Sequence, residues 1–203
     1  MSINNTLVPI VVERDPKGFE RSYDIYSRLL KDFIVFVTGT VTMEMANTFI
    51  AQMLFLESEN PDRDISVYIN SPGGAAYAGF AMYDTMKHVK NPITTINVGL
   101  AASAGALILS AGDDGKRLAL PGSFTLIHQA LGGTEGQATD IDIYAKQIVR
   151  VRDRYAQAIA TASGKDLDTV IKDIERDNWM DAKETKKYGL IDAIMDPKKK
   201  SKK

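Results

Sequence analysis

The chain has 203 residues, 44% hydrophobic and 25% charged, with a formal net charge of −1 and no cysteine. That length builds one domain with a substantial core. Without cysteine there is no disulfide framework and no thiolate metal or redox chemistry, and two histidines far apart in sequence, His88 and His128, argue against a zinc site. After Pro197 come five lysines and one serine, so the rest of the chain carries about −6. The tail reads as a solvated end or a contact for an acidic surface, and the acidic body argues against nucleic acid as the main partner. No run of about 18 apolar residues is present to span a membrane. The N-terminus lacks the basic region and apolar run of a secretory signal, so the cytoplasm is the expected compartment.

Residues 1–20 have no clear period and read as an N-terminal arm with one extended piece over 7–12. Tyr23, Tyr26, Leu29 and Leu30 have helical spacing and predict a helix over 22–31. The β-branched and aromatic run 33–37 predicts a buried strand. Thr42 opens a long helix to about residue 58. A second strand over 64–70 ends at Ser71-Pro-Gly-Gly74, followed by a helix over 75–89 and a strand over 93–98. Ser103 then opens an apolar helix, and 117–120 and 124–127 read as short strands. Strand and helix alternate, which argues for an α/β fold with a mainly parallel sheet.

The remainder is more helical. Thr139-Asp-Ile-Asp142 has the form of a capping box. Behind it Ile141, Tyr144, Ile148, Val151, Tyr155 and Ile159 recur at steps of three and four until Gly164. A helix that long in a domain of this size suggests contacts with another subunit. Asp181-Ala-Lys-Glu184 is a second start signal, for a helix that stops at Gly189.

Two stretches carry candidate chemistry. In Gly99-Leu-Ala-Ala-Ser-Ala-Gly105 one serine, Ser103, sits among small residues between an apolar strand and an apolar helix. Such a serine can be a nucleophile with an open approach, or simply a helix N-cap. A base for it is almost named by elimination: His128, at the end of a short apolar run. Ser71-Pro-Gly-Gly74 is either a turn or a place where the backbone comes close to a ligand. The amides of Gly74 and Ala104 form a natural pair of oxyanion donors. Nothing local distinguishes Asp177 from the other aspartates. The combination carries the argument, not any single member.

Together these pieces resemble the proteolytic subunits of the Clp protease family of serine peptidases. The resemblance rests on 20–31 (ERSYDIYSRLLK), 68–74 (YINSPGG), 99–103 (GLAAS), 127–129 (IHQ), Gly132-Gly133, 136–141 (GQATDI), 175–177 (ERD) and 188–192 (YGLID). It implies a crotonase-like α/β head over 21–195 with a helical handle at about 131–163, and a Lys-rich tail over 196–203. It also implies Ser103 as nucleophile, His128 as base and Asp177 as orienting acid, with an oxyanion hole from the Gly74 and Ala104 amides.

Beyond the single chain, the resemblance implies two stacked heptameric rings enclosing the active sites. Residues 131–137 would form a ring-to-ring strand, and Glu175 and Arg176 would contact the opposite ring. An AAA+ unfoldase of the ClpX, ClpA or ClpC type would dock at Leu54, Tyr68, Ile96 and Leu120 and feed in unfolded polypeptide. No cofactor is expected, because the unfoldase consumes the ATP and this chain has no G-x-x-x-x-G-K loop. The chain departs from the family's usual residues at Ala104, where methionine is frequent, at Ala130, where proline is usual, and at Ser66 and His88, where aromatics are common. These departures keep open a partner subunit of a mixed barrel built with a second isoform, with little activity alone. A crotonase-type hydratase or isomerase acting on acyl-CoA would need glutamates at the cleft instead.

Overall fold

In the computed structural model, residues 7–14 and 17–195 are described. The first six residues and the tail over 196–203 lie outside them, and with them much of the expected arm and the whole Lys-rich end.

The chain opens with a hairpin, β1 (Ile10–Arg14) against β2 (Glu20–Asp24), antiparallel with Val11 opposite Tyr23. The helix expected over 22–31 is therefore shorter. It is α1 (Ile25–Leu30), with Asp24 as N-cap accepting from the Ser27 N–H at 2.9 Å. Tyr23 has helical spacing, but its backbone is used by the strand ladder. After α1, Phe33 takes a positive φ of 63° and turns the chain into β3 (Ile34–Thr38).

A parallel sheet follows. The strands β4 (Ile65–Ser71), β5 (Ile93–Ala102), β6 (Arg117–Ala119) and β9 (Ala193–Ile194) extend it in the order β3-β4-β5-β6-β9. The crossovers are α2 (Met43–Glu59), capped by Thr42 as its sequence predicts, and α3 (Ala76–His88). Inward-facing Val35, Val37, Val67 and Ile69 meet Phe49, Met53 and Leu56 of α2 and Met82 of α3 in the main core. Burying each of these larger side chains contributes roughly 1.5–3 kcal/mol.

The sheet forks at β5. Its first half pairs with β6 and its last three residues with β7 (Phe124–Ile127), also parallel. The strand runs to Ala102, four residues beyond the expected end, because Leu100, Ala101 and Ala102 find partners in β7. Then come α4 (Ala104–Ser110) and, after β7, the long helix α5 (Ala138–Ser163), which ends at Gly164 with φ 70°. Only its C-terminal part is buried, through Tyr155, Ala156, Ala158, Ile159 and Ala160.

One expectation is corrected here. The N-cap of α5 is Gln137, without a side-chain cap, so Thr139 and Asp142 lie inside the helix and form no capping box. Residues 131–137 pair with no strand among the described residues; the partner expected for them belongs to the opposite ring.

Short elements close the fold: α6 (Leu167–Asp173), β8 (Asn178–Asp181) antiparallel to β7, and α7 (Ala182–Tyr188). The capping box of α7 is formed as expected, between Asp181 and Glu184. Arg117 secures this region by donating to Asp192 Oδ1 at 2.6 Å and to the Ala162 carbonyl at 2.6 Å. Burial pushes the Asp192 carboxyl upward, but the hydrogen bonds and charge of Arg117 outweigh this and hold it below the usual range. Among the described residues no helix is long and apolar enough to cross a membrane.

Candidate active site

Groups at the carboxyl ends of parallel strands face a common crevice. Here those ends belong to β4, β5 and β7. Ser103 follows β5 directly, with φ 53° and ψ −117°. This is a sharp strand-to-helix elbow, a backbone conformation that costs a non-glycine residue on the order of 1–3 kcal/mol. The elbow is held by the Ser103 N–H donating to the Leu126 carbonyl at 2.8 Å and by the Ser103 carbonyl accepting from the Leu107 N–H at 3.1 Å. The hydroxyl caps no backbone N–H of α4. The N-cap reading of this serine therefore finds no support in its side chain.

The loop after β4 is packed against the elbow. Ser71 Oγ donates to the Gly39 carbonyl at 2.6 Å and accepts from the Gly73 N–H at 3.1 Å. Gly73 has φ +86°, and a Cβ there would lie 2.6 Å from the Ala102 carbonyl oxygen and 2.7 Å from Ser103 Cβ. No other residue fits beside the serine. Gly74 bridges to Val41: the Val41 N–H donates to the Gly73 carbonyl and the Ala75 N–H to the Val41 carbonyl, both at 2.9 Å. In that parallel pairing the Gly74 N–H points away from Val41. Ala104 is the first residue of α4, so its N–H has no carbonyl one turn back. Both amides belong to residues lining one cleft of about 360 Å³.

Ser103 and His128 line the same cleft, whose walls include Ala75, Ala76, Phe80, Leu107, Val151 and Tyr155. They suit an apolar side chain. His128 follows β7, and Asp177 precedes β8. Because Ile127 pairs with Asn178, the next rung of the ladder sets His128 against Asp177. The Gln129 N–H donating to the Ile174 carbonyl at 2.6 Å and Gln129 Nε2 donating to the Glu175 carbonyl at 3.0 Å tie the two segments. His128 Nδ1 stands 3.6 Å from Asp177 Oδ1, beyond direct hydrogen-bond reach. The histidine side chain is 17% exposed and the aspartate 62%. Ser103 Oγ makes no hydrogen bond to His128 within the described residues. The three groups share one locality, but their contacts are open in the single chain.

Glu175 and Arg176 are exposed beside Asp177, around a shallow hollow with Gln129 and Leu131. The other expected positions lie elsewhere on the head. Tyr68 and Ile96 are register partners on β4 and β5, Leu120 follows β6, and Leu54 projects from α2 at 49% exposure. Ile96 is 4% exposed, whereas Tyr68 is half-buried and stacks on Phe36 with ring centroids 5.5 Å apart. Sequence reasoning marked Gly73 within Ser71-Pro-Gly-Gly74 but missed its fit against the elbow, which only the fold creates. It also read Tyr155 as a core residue of α5. Its ring is buried, but its hydroxyl donates to the Ser103 carbonyl at 3.3 Å. Burial pushes that phenol well above its ordinary range, so it remains a donor. Among the described residues no group of three or more histidine, aspartate or glutamate side chains could hold a metal ion.

An elbow serine, a histidine, Gly74 and Ala104 line one cleft on a forked parallel sheet, and an aspartate faces the histidine. A family model described as Clp protease matches residues 17–198, which covers the second strand of the hairpin, the whole parallel sheet, the long helix and every one of these groups. The chain belongs to the Clp protease family.

Proposed function

We propose that this chain hydrolyses peptide bonds of unfolded proteins by serine catalysis. Membership of the family makes it a peptidase; the residue roles are the proposal. Ser103 Oγ attacks the peptide carbonyl while His128 accepts its proton, and the Gly74 and Ala104 amides receive the negative charge on the oxygen. His128 then protonates the leaving amine, and water, activated by the same imidazole, clears the acyl-enzyme. Asp177 holds the imidazole in the useful tautomer. The observation that carries this reading is the elbow: a strained serine whose hydroxyl caps nothing and which lines one cleft with His128.

The family implies stacked rings and an unfoldase in general. We assign the ring-to-ring contact to Glu175 and Arg176, both exposed beside Asp177. The unfoldase contact, to a partner of the ClpX, ClpA or ClpC type, we assign to Leu54, Tyr68, Ile96 and Leu120. Two stacked heptameric rings with ATP used only by the unfoldase complete the proposal, with the cytoplasm as its place. A second reading has one observation in its favour. Asp177 is 62% exposed and 3.6 Å from His128, as expected of a site closed by a neighbouring subunit. That suits a chain active only in an assembly, including a mixed barrel with a second isoform.

Intact mass after exposure to a fluorophosphonate tests the assignment, with Ser103→Ala as control. One adduct per chain, lost in the variant, is the expected result. An adduct that persists in Ser103→Ala would sink the nucleophile assignment. No adduct on the isolated chain, gained once a second isoform or an unfoldase is added, selects the second reading.

A further inference from the structure

The Ser103–Ala104 peptide joins the proposed nucleophile to a proposed oxyanion donor. In a trans peptide the C=O and N–H point in opposite directions. Whatever holds the Ser103 carbonyl therefore aims the Ala104 N–H. That carbonyl has two partners, the Leu107 N–H at 3.1 Å from within the turn and the Tyr155 hydroxyl at 3.3 Å from across the cleft wall. The first is an ordinary helical bond that any residue sequence here would form. The second comes from a different element, at the start of the buried portion of α5. It therefore couples the elbow to a helix remote in sequence. With φ 53° and ψ −117° the elbow is not a conformation the serine adopts unaided, so its peptide plane depends on such outside restraints.

We infer that Tyr155 is a positioning residue: its hydroxyl, donating to the Ser103 carbonyl, fixes the plane of the following peptide and directs the Ala104 N–H into the cleft. This rests on the reading of Ser103 as nucleophile and Ala104 as oxyanion donor. Tyr155 touches no reacting atom in this role. It acts on the transition state, where the oxygen of the attacked carbonyl becomes negative, and leaves the ground-state fit of the substrate nearly unchanged. The ring fills the cleft floor in any case, so the hydroxyl alone is the variable.

The test is Tyr155→Phe in the full chain, assayed on a fluorogenic peptide amide and with a peptide boronate, whose tetrahedral serine adduct places an oxygen where the oxyanion forms. The bond is long, and a net hydrogen-bond contribution corresponds to roughly a three- to tenfold fall in kcat. KM is expected to stay within about twofold, and boronate affinity to fall by the same factor as kcat. Tyr155→Met, which also fills the space without a hydroxyl, is expected to match it and serves if the phenylalanine variant fails to fold. An unchanged kcat, or a raised KM with kcat intact, overturns the inference and leaves Tyr155 as cleft lining. Fluorophosphonate labelling of the wild type separates the two failures. A labelled wild type with an indifferent Tyr155→Phe overturns only this inference. A wild type that never labels at Ser103, even in its assembly, overturns the nucleophile assignment and this inference together.

Discussion

Gly73→Ala isolates the fit between the glycine loop and the elbow. The new Cβ would stand 2.6 Å from the Ala102 carbonyl oxygen, 2.7 Å from Ser103 Cβ and 3.0 Å from the Ala104 nitrogen. Ordinary contact begins near 3.4 Å, so loop and elbow must part by several tenths of an ångström. The obstacles are backbone and Cβ atoms, which cannot swing aside as a flexible side chain would. An L-residue at φ +86° adds about 1–2 kcal/mol of conformational strain, and the overpacking adds about 1–3 kcal/mol. A shift of that size at the reacting atoms costs on the order of a hundredfold in rate. Gly115→Ala is the matched control. Its φ is +81° and nothing lies within 4 Å of the new Cβ, so it carries the strain without the clash; it sits in the turn tied to Ile93, at the end of β5 opposite Ser103. Hydrolysis of a fluorogenic peptide and thermal melting are measured for both. Gly115→Ala should melt lower and keep its rate, and Gly73→Ala should lose stability and on the order of a hundredfold in kcat/KM. If Gly73→Ala keeps more than half of the wild-type rate, the argument that this glycine sets the elbow is wrong.

Three further outcomes are expected. Asp192 has a depressed carboxyl pKa in the folded chain, so its contribution to stability is complete above the unfolded value near 4 and disappears as pH falls through the lower folded value. Asp192→Asn, which loses charged hydrogen bonds from Arg117, should cost roughly 2 kcal/mol at neutral pH. That corresponds to a melting shift on the order of 5 °C, and the gap to wild type should close on acidification; a gap constant down to pH 2 would refute the linkage. Arg176→Ala should weaken ring stacking in sedimentation and lower peptidase activity with it. Leu54→Ser should spare peptide hydrolysis but slow unfoldase-driven degradation of a folded substrate. The docking assignment fails if Leu54→Ser degrades that substrate at the wild-type rate.

The parts of the fold legible in the sequence are those in which a local pattern and the tertiary structure agree. The apolar steps from Ile141 to Ile159 and the stop at Gly164 give α5, and Asp181 with Glu184 gives α7. The failures have a common cause. Tyr23 joins a strand because Val11 pairs with it, and Leu100 to Ala102 extend β5 because β7 lies alongside. Such pairings are decided by residues far away in sequence. The short strand β8 has no alternating apolar pattern, since Trp179 is exposed and Met180 buried within a four-residue strand. Ser103 and His128 stand out through composition and context, because a chain with two histidines offers few bases. Asp177 entered through the family resemblance alone, and the β7–β8 ladder supplies the reason it faces His128. The Tyr155 hydroxyl was unreadable, because helical spacing reports which face is buried and says nothing about where a phenol points.

The long helix can also be considered as a mechanical part. Its C-terminal end is clamped: Arg117 grips the Ala162 carbonyl, and Gly189 approaches so closely that a Cβ there would lie 2.5 Å from the Ser163 carbonyl oxygen. Its first four turns carry almost no core. It is a beam fixed at one end. With a rise of about 1.5 Å per residue, a tilt of about 5° about Ile159 carries Ala138 by roughly 3 Å but Tyr155 by only roughly 0.5 Å. Displacements at the free end are thus reduced severalfold before they reach the cleft, and the beam's tip can accommodate a neighbour while the elbow stays in register.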